Sequence, residues 1–374
     1  MLLSHVIFEY TVIRLDLVEK SMPTGSKNSD VLLGWILDSL GLVKRKIESW
    51  GEEEEFGALH RIMSEALLLE PLKGWDIKTL GDVCGLSQTG MHHQMLKLRE
   101  SGLISSENYG RWHIYVLRGG TITSAINLMA VQAKEIIELR LLELSSHIKD
   151  SEKRMEIPSE SIENNFKIRI SEPSAIKIEE DKIDVLLDDL GLNGDRVKVK
   201  DDLAKKVFKE LAESSNPITI LSLSDKFSES RSRIRRTIDR FRNSNIIERV
   251  PMLDRIAQDI YIGMTRQYEA RGEEWLFTRG GFGRINEEIA IELIDGIKNK
   301  NLDSDKVQQI ILPLSIERQK ILLNTLGGRM PYGYRIKGRN GEEMKENVMR
   351  SVDRTLPRLK TVAERLEKSI IRND

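Results

Sequence analysis

Two segments of the chain follow one template, at an offset of 143 residues from Ser87 to Ser230. In both, apolar residues come 4, 8 and 11 positions after the serine, a glycine or asparagine comes at 15, and an apolar pair follows. The matching sets are Ser87, Met91, Met95, Leu98 and Gly102 in the first copy and Ser230, Ile234, Ile238, Phe241 and Asn245 in the second. An internal repeat of this kind predicts two units of the same local fold.

The repeated spacing predicts an amphipathic helix in each copy. A serine before the first turn can accept a hydrogen bond from a free backbone amide, and the 4, 8, 11 spacing keeps one face apolar. Glycine or asparagine tolerates the positive φ that ends a helix. Shorter helices are predicted just upstream at 79–84 and 221–227, and longer ones at 58–69 and 201–214, with strand-like sequence after each copy.

Three helices followed by a two-stranded ribbon is the layout of a winged helix-turn-helix domain. Residues 74–104, GWDIKTLGDVCGLSQTGMHHQMLKLRESGLI, with 109–117, YGRWHIYVL, resemble the DNA-binding domains of ArsR- and MarR-type transcriptional regulators. Residues 216–250, NPITILSLSDKFSESRSRIRRTIDRFRNSNIIERV, resemble a second copy. The resemblance implies that the third helix of each copy enters the major groove of DNA.

The rest of the chain is organised around these copies. Apolar residues at steps of three or four predict one long helix over 122–148, and 166–170 reads as a strand in a connector. The expected fold is mainly α with small β-ribbons (α+β): tandem winged helices joined by a long helix, plus a helical C-terminal region. The expected divisions are 1–50 (N-terminal segment), 51–120 (first winged helix), 121–180 (long helix and connector), 181–264 (second winged helix) and 265–374 (C-terminal region).

Candidate DNA-reading residues of the first copy are those on the expected exposed face of its third helix. Gln and His side chains can hydrogen-bond base edges, while threonine and lysine suit phosphates. An arginine at the tip of the ribbon would reach a phosphate or the minor groove. The residues are Gln88, Thr89, His92, His93, Lys97 and, at the tip, Arg111.

The second copy carries arginines at the corresponding places. Asp239 is the one acid among them, which is unusual for a merely solvated helix face. Guanidinium groups suit phosphates and guanine edges alike. Contact with nucleic acid is one interpretation, and ion pairing with acidic segments such as 52–55 is the other. The candidates are Arg231, Arg233, Arg235, Arg236 and Arg240, with Arg242 also expected to be exposed.

Other chemistry has little support in the sequence. A single cysteine, Cys84, excludes an internal disulfide framework and a Cys-based zinc site. His92 and His93 are adjacent, so on a helix they point about 100° apart and cannot close on one ion. No phosphate-loop, zinc-protease or nucleophile-elbow motif occurs. We expect no catalytic activity, no metal and no cofactor.

The expected function is sequence-dependent binding of double-stranded DNA by a transcriptional regulator. The alternative is a protein-interaction or chromosome-organising module whose arginine-rich helix docks on an acidic partner. With 58 basic and 59 acidic residues, DNA affinity must come from local clustering. The N-terminus lacks signal-peptide features and no apolar run would span a membrane, so a cytoplasmic, nucleoid-associated location is expected. The apolar stripe of 122–148 and a second one, 359–370 after Pro357, predict a homodimer. The alternative is that the two stripes pack on each other, or on the C-terminal region, within one chain.

Overall fold

The structure, a computed structural model, describes residues 12–43, 57–109, 112–155, 165–173, 181–194 and 202–371. It is mainly helical, and the strands of this part form three two-stranded antiparallel sheets. The predicted α+β class is therefore confirmed at this level.

The described residues of the first half of the chain form three strands and five α-helices. In order they are β1 (Arg14–Val18), α1 (Ser29–Ser39), α2 (Ala58–Ile62, continued by a π-helical turn, Met63–Leu67), α3 (Ile77–Cys84), α4 (Gln88–Glu100), β2 (Ile104–Tyr109), β3 (Trp112–Leu117) and α5 (Ile122–Ser145).

The second half repeats this order and adds four helices before its last strand. It contains β4 (Lys167–Ser171), α6 (Lys182–Asp189), α7 (Leu203–Glu213), α8 (Ile220–Phe227), α9 (Arg231–Asn243), β5 (Ile247–Pro251), α10 (Leu253–Thr278), α11 (Glu287–Lys298), α12 (Ser304–Ile311), α13 (Ile316–Thr325), β6 (Tyr332–Ile336) and α14 (Gly341–Ile371).

The predicted start, face and stop of α4 and α9 are confirmed. Ser87 Oγ accepts from the Gly90 amide at 3.3 Å, and Ser230 Oγ accepts from the Arg233 amide at 3.3 Å. The turn after α9 has a φ of +60° at Asn245. The six apolar residues of the template are all buried, and they are Met91, Met95, Leu98, Ile234, Ile238 and Phe241.

The second β-ribbon differs from the prediction, because its two strands are far apart in the chain. β5 pairs with β6 in a register that places Ile247 opposite Ile336. The residues between them form α10 to α13, which pack around a hydrophobic core of their own. The expected boundary between 181–264 and 265–374 thus falls between two strands that pair with each other, β5 and β6. In β6 itself, the residues 333–336 are buried.

Equivalent backbone bridges mark the same point in both units. Trp75 bridges to Tyr115 on β3, and Ile218 bridges to Tyr334 on β6. α5 and α14 each begin seven residues after that tyrosine. The C-terminal helix was expected to start near Pro357, but α14 begins at Gly341 and contains Pro357 in its interior. Helix α14 is thus the counterpart of α5.

The first strands of the two halves pair with each other. β1 runs antiparallel to β4, with Asp16 and Arg169 opposite each other in the middle of the pair. The two side chains form an ion pair at 3.0 Å. Strand β1 is therefore part of the core, in which Leu15 and Leu17 are buried.

The last helices of the two halves also run antiparallel. The Thr123 amide near the start of α5 donates to Glu367 near the end of α14. Farther along, Lys134 Nζ lies 2.7 Å from Asp353, and both residues come twelve positions after the start of their helix. In both pairs, an element of one half runs antiparallel to its counterpart in the other half, and residues at equivalent positions face each other at the centre. An approximate two-fold axis therefore relates the two halves of the chain.

This arrangement corrects the expected dimer interface. Leu141 on α5 and Leu366 on α14 are fully buried, and the two helices pack on each other within one chain. The stripes therefore cannot serve a partner chain. A homodimer remains a prediction that would need other surfaces, such as the exposed apolar residues of α5, which are Leu128, Val131, Leu139 and Leu142.

Candidate nucleic-acid interface

Helix α4 presents most of its predicted reading residues to solvent. The buried face fixes the helix on the core, so the opposite face, starting at the first turn, is left exposed. Lys97 is half-buried. The exposed members of the predicted set are Gln88, Thr89, His92 and His93.

An open cleft of about 500 Å³ runs between α4 and strand β3. Thr89, His92 and His93 line it from the helix. The lining also includes residues that were not predicted from the sequence, which are Leu96, Arg99, His113 and Tyr115. The position of His113 in the β2–β3 ribbon already indicates that it could line this cleft. The position of Arg99 depends on how α4 packs on the core, so the sequence alone does not indicate that it lines the cleft.

Helix α9 exposes fewer arginines than predicted. Arg231, Arg235 and Arg236 are exposed, and we call them the three exposed arginines of α9. Arg231 and Arg235 lie one turn apart and therefore share a face. Arg236 Nε donates to the carbonyl of Ser232, in its own helix, at 3.4 Å.

The other arginines of α9 have structural partners. Arg233 is held by both carboxylate oxygens of Glu229, at 2.6 and 2.5 Å. Arg240 was predicted to be an exposed DNA contact, but its Nε donates to the carbonyl of Leu192 at 2.8 Å. Arg242 lies 3.5 Å from Asp239, with 17% of its side chain exposed. The expectation of six exposed arginines is therefore wrong for Arg240 and Arg242.

A glycine makes room for the inward position of Arg240. Gly194 has a φ of +88°, and a Cβ there would come within 2.7 Å of the Arg240 guanidinium. The close approach explains why this arginine binds the preceding loop and does not reach solvent.

Within the described residues, no carboxylate forms an ion pair with any of the three exposed arginines of α9. These guanidinium groups can therefore bind a phosphate without breaking an existing ion pair. Arg111 lies outside the described residues, and so does the acidic segment 52–55, so the wing-tip contact and that ion-pairing alternative both stay predictions.

The part of the chain that the structure describes holds no cluster of three or more His, Cys, Asp or Glu side chains that could bind a metal ion. Cys84 is buried, and that burial raises the pKa of its thiol. Among the described helices, none has the length and apolar character needed to cross a membrane.

Comparison with protein-family models, with curated proteins and with solved structures found no match for this chain.

Proposed function

We propose that this protein binds double-stranded DNA through α4 and α9, each acting as the recognition helix of a winged helix-turn-helix module. The observation that carries the proposal is the equivalence of the two helices. Both are 13 residues long, are capped by a serine, bury one apolar face and leave a polar or cationic face exposed from the first turn onward. The major groove of B-DNA is wide enough to admit such a helix.

Helix α4 has the chemistry to read bases. Gln88 and His92 lie one turn apart on the exposed face. A glutamine amide can pair with an adenine edge, and an imidazole can donate to or accept from base atoms in the major groove. The cleft beside β3 gives this face a concave border in which a nucleic-acid backbone can lie.

Helix α9 has the chemistry to hold the backbone. Its three exposed arginines supply phosphate contacts, whose formation releases counterions from the DNA. Phosphate contacts position a protein without specifying sequence. The module that contains α4 therefore supplies most of the sequence selectivity, and the module that contains α9 supplies most of the electrostatic affinity.

The approximate two-fold relation suggests how one chain uses both helices. DNA-binding dimers match their two-fold axis to that of the duplex and occupy two half-sites. Here α4 and α9 are related within a single chain, so one chain would supply both halves. Because their exposed residues differ, the two half-sites would differ as well. The corresponding role is that of a transcriptional regulator or nucleoid-associated protein.

The role of α4 is tested by the variants Gln88→Ala and His92→Ala. Each should change which sequence is preferred among a set of duplexes, because a base contact is worth about 1–3 kcal/mol. The measurement is selection from a random-sequence duplex pool, with Thr361→Ala, exposed on α14, as the control. Equally weakened binding to every duplex sequence would indicate that α4 contacts only the DNA backbone.

The alternative is a protein-interaction module whose α9 docks on an acidic partner. The same three exposed arginines favour it, and the insertion of α10 to α13 between β5 and β6 gives the second module an additional surface. A protein that shows no salt-dependent affinity for duplex DNA would support this alternative.

A further inference from the structure

A second polar cleft lies away from both recognition surfaces. It has a volume of about 800 Å³ and is bordered by α14, by residues 19–24 after β1, and by Asn245 in the turn after α9. Its size is in the range of small-molecule sites. Five cationic side chains and one carboxylate line it, and they are Lys20, Lys337, Arg350, Arg354, Arg358 and Glu19. We call this the α14 cleft.

The single carboxylate of the α14 cleft is already shared. Arg354 donates to both oxygens of Glu19, at 2.5 and 2.6 Å, and Arg358 donates to one of them at 2.7 Å. The hydrogen bond and the charge of Arg354, with those of Arg358, hold the pKa of Glu19 below its ordinary value despite partial burial. Two other cations of the cleft have acidic partners outside its lining: Lys20 lies 3.0 Å from Asp38, and Arg350 lies 3.5 Å from Glu346. Three carboxylates thus oppose the five cations, which leaves two positive charges in excess.

Lys337 adds a partly buried ammonium group to this excess. Burial lowers its pKa, and Arg350 and Arg354 act in the same direction. The acid that opposes them, Glu248, is bound by Arg335 at 2.8 Å. In the described part of the chain no carboxylate forms an ion pair with Lys337. A buried cation placed among other cations is unfavourable unless an anion joins them.

The internal repeat shows that the scaffold does not require these charges. The α5 positions equivalent to Asn347, Arg350, Arg354 and Arg358 are Leu128, Val131, Glu135 and Leu139. The corresponding face of α5 is therefore largely apolar, with one acid. The cationic surface of α14 thus has no counterpart on the equivalent face of α5, which points to a ligand rather than to a demand of the fold.

We propose that the α14 cleft binds a small anion that carries a phosphate group. Two positive charges in excess match the charge of one doubly ionised phosphate, and guanidinium and ammonium groups are the usual partners of phosphate oxygens. Asn245 and Asn347 line the same cleft and add polar side chains.

The position of the cleft favours a small molecule over the DNA backbone. Asn245 follows the C-terminal end of α9, whereas Arg231 begins its N-terminal end. A helix of this length spans roughly 20 Å. Along the helix axis the three exposed arginines lie roughly 13–21 Å from Asn245, so a duplex that they hold would contact α9 at a distance from the cleft.

The test is isothermal titration of the full chain with inorganic pyrophosphate, in the absence of DNA. We expect saturable binding of one anion per chain, weakened about tenfold by Lys337→Met or Arg350→Ala, because each removes a charged hydrogen bond. Lys368→Ala, exposed at the far end of α14, should bind like the wild type. Lys337→Met should also melt at a higher temperature than the wild type without ligand, since an unpaired buried charge is removed.

Three results would overturn the proposal. They are no saturable binding by the wild-type chain, binding that Lys337→Met and Arg350→Ala both retain, and displacement of pyrophosphate by a short DNA duplex at equal phosphate concentration. The last would assign the cleft to the nucleic-acid backbone. The first two results come from a titration without DNA, so a failure of the DNA-binding proposal would leave them unchanged.

Discussion

Among single residues, Asp189 at the end of α6 makes stability depend on pH. Burial raises the pKa of its carboxyl from 3.8 to about 6, and Arg140, at 3.8 Å, offsets only part of this cost. Well below pH 3.8 the group is protonated in both the folded and the unfolded chain. Between about pH 4 and 6 the carboxyl ionises in the unfolded chain but stays protonated in the folded chain, so stability is lost over this range. Above pH 6 the folded chain carries the buried charge and the loss is complete.

Asp189→Asn should therefore stabilise the protein above pH 6, by about 2 kcal/mol in the free energy of unfolding. The gain should shrink as the pH falls and disappear near pH 4. Urea denaturation at pH 4, 6 and 8 measures it. A variant that is less stable than the wild type at pH 8 would contradict this role of Asp189.

Gly191, in the turn after α6, lies at a position where the structure requires glycine. Its φ is +72°, and a Cβ there would lie 2.8 Å from the Cβ of Arg169 on β4. Gly25 has a similar φ of +78° but nothing within 4 Å of a built Cβ. Gly191→Ala should cost about 3 kcal/mol and Gly25→Ala about 1 kcal/mol, since only the first adds a clash to the backbone strain. Equal destabilisation of the two variants in chemical denaturation would show that the close approach is unimportant.

At the scale of elements, Arg154 joins the ends of three helices. Its buried guanidinium donates to the carbonyls of Lys149, Ala212, Ser214 and Arg339, at 2.6–3.1 Å. These carbonyls lie just after α5, at the end of α7 and just before α14. The side chain thus satisfies acceptors that would otherwise be buried without a donor.

Arg154→Met should lower the free energy of unfolding by about 3–5 kcal/mol, because several buried acceptors are left without a donor. The exposed neighbour provides the control, and Lys153→Met should change stability little. Thermal and urea unfolding measure both variants. A decrease below about 1 kcal/mol for Arg154→Met would mean that water replaces the guanidinium.

The helices were predictable wherever one local signal decided their position. Ser87 and Ser230 marked the starts of α4 and α9, because a cap needs only the next few amides. The pairing of β5 with β6 was not predictable, since about 80 residues separate the strands and sequence periodicity carries no information about distant partners. The start predicted for the C-terminal helix at Pro357 was wrong for a related reason. Proline is typical of a helix start, but α14 packs on α5 and continues through Pro357 as one longer helix.

The candidate sites were predictable to a different degree. The exposed face of α4 followed directly from its apolar stripe. Arg240 did not, because its partner is a carbonyl in a loop far along the sequence. Arg350, Arg354 and Arg358 recur every four residues and could have been noticed on one helix face. Their meeting with Lys337 depends on the tertiary fold.

For the whole molecule, the two halves meet as the subunits of a dimer would. At the centre of the two contacts, Asp16 faces Arg169 and Lys134 faces Asp353. In a homodimer the equivalent residues would be identical and would repel each other. Opposite charges at both centres are possible only because the halves differ, and the same difference gives one chain two different surfaces.

The most direct test of DNA binding is the salt dependence of duplex affinity, measured by fluorescence anisotropy with the full chain and with Arg235→Ala/Arg236→Ala. Arg318→Ala, exposed on α13, is the control. We predict a steep linear fall of log affinity with log salt, and a slope that is smaller in the double variant by about one unit for each phosphate that the variant no longer binds. A wild-type chain without measurable duplex affinity at low salt, or a folded double variant with the wild-type slope, would contradict DNA binding through α9.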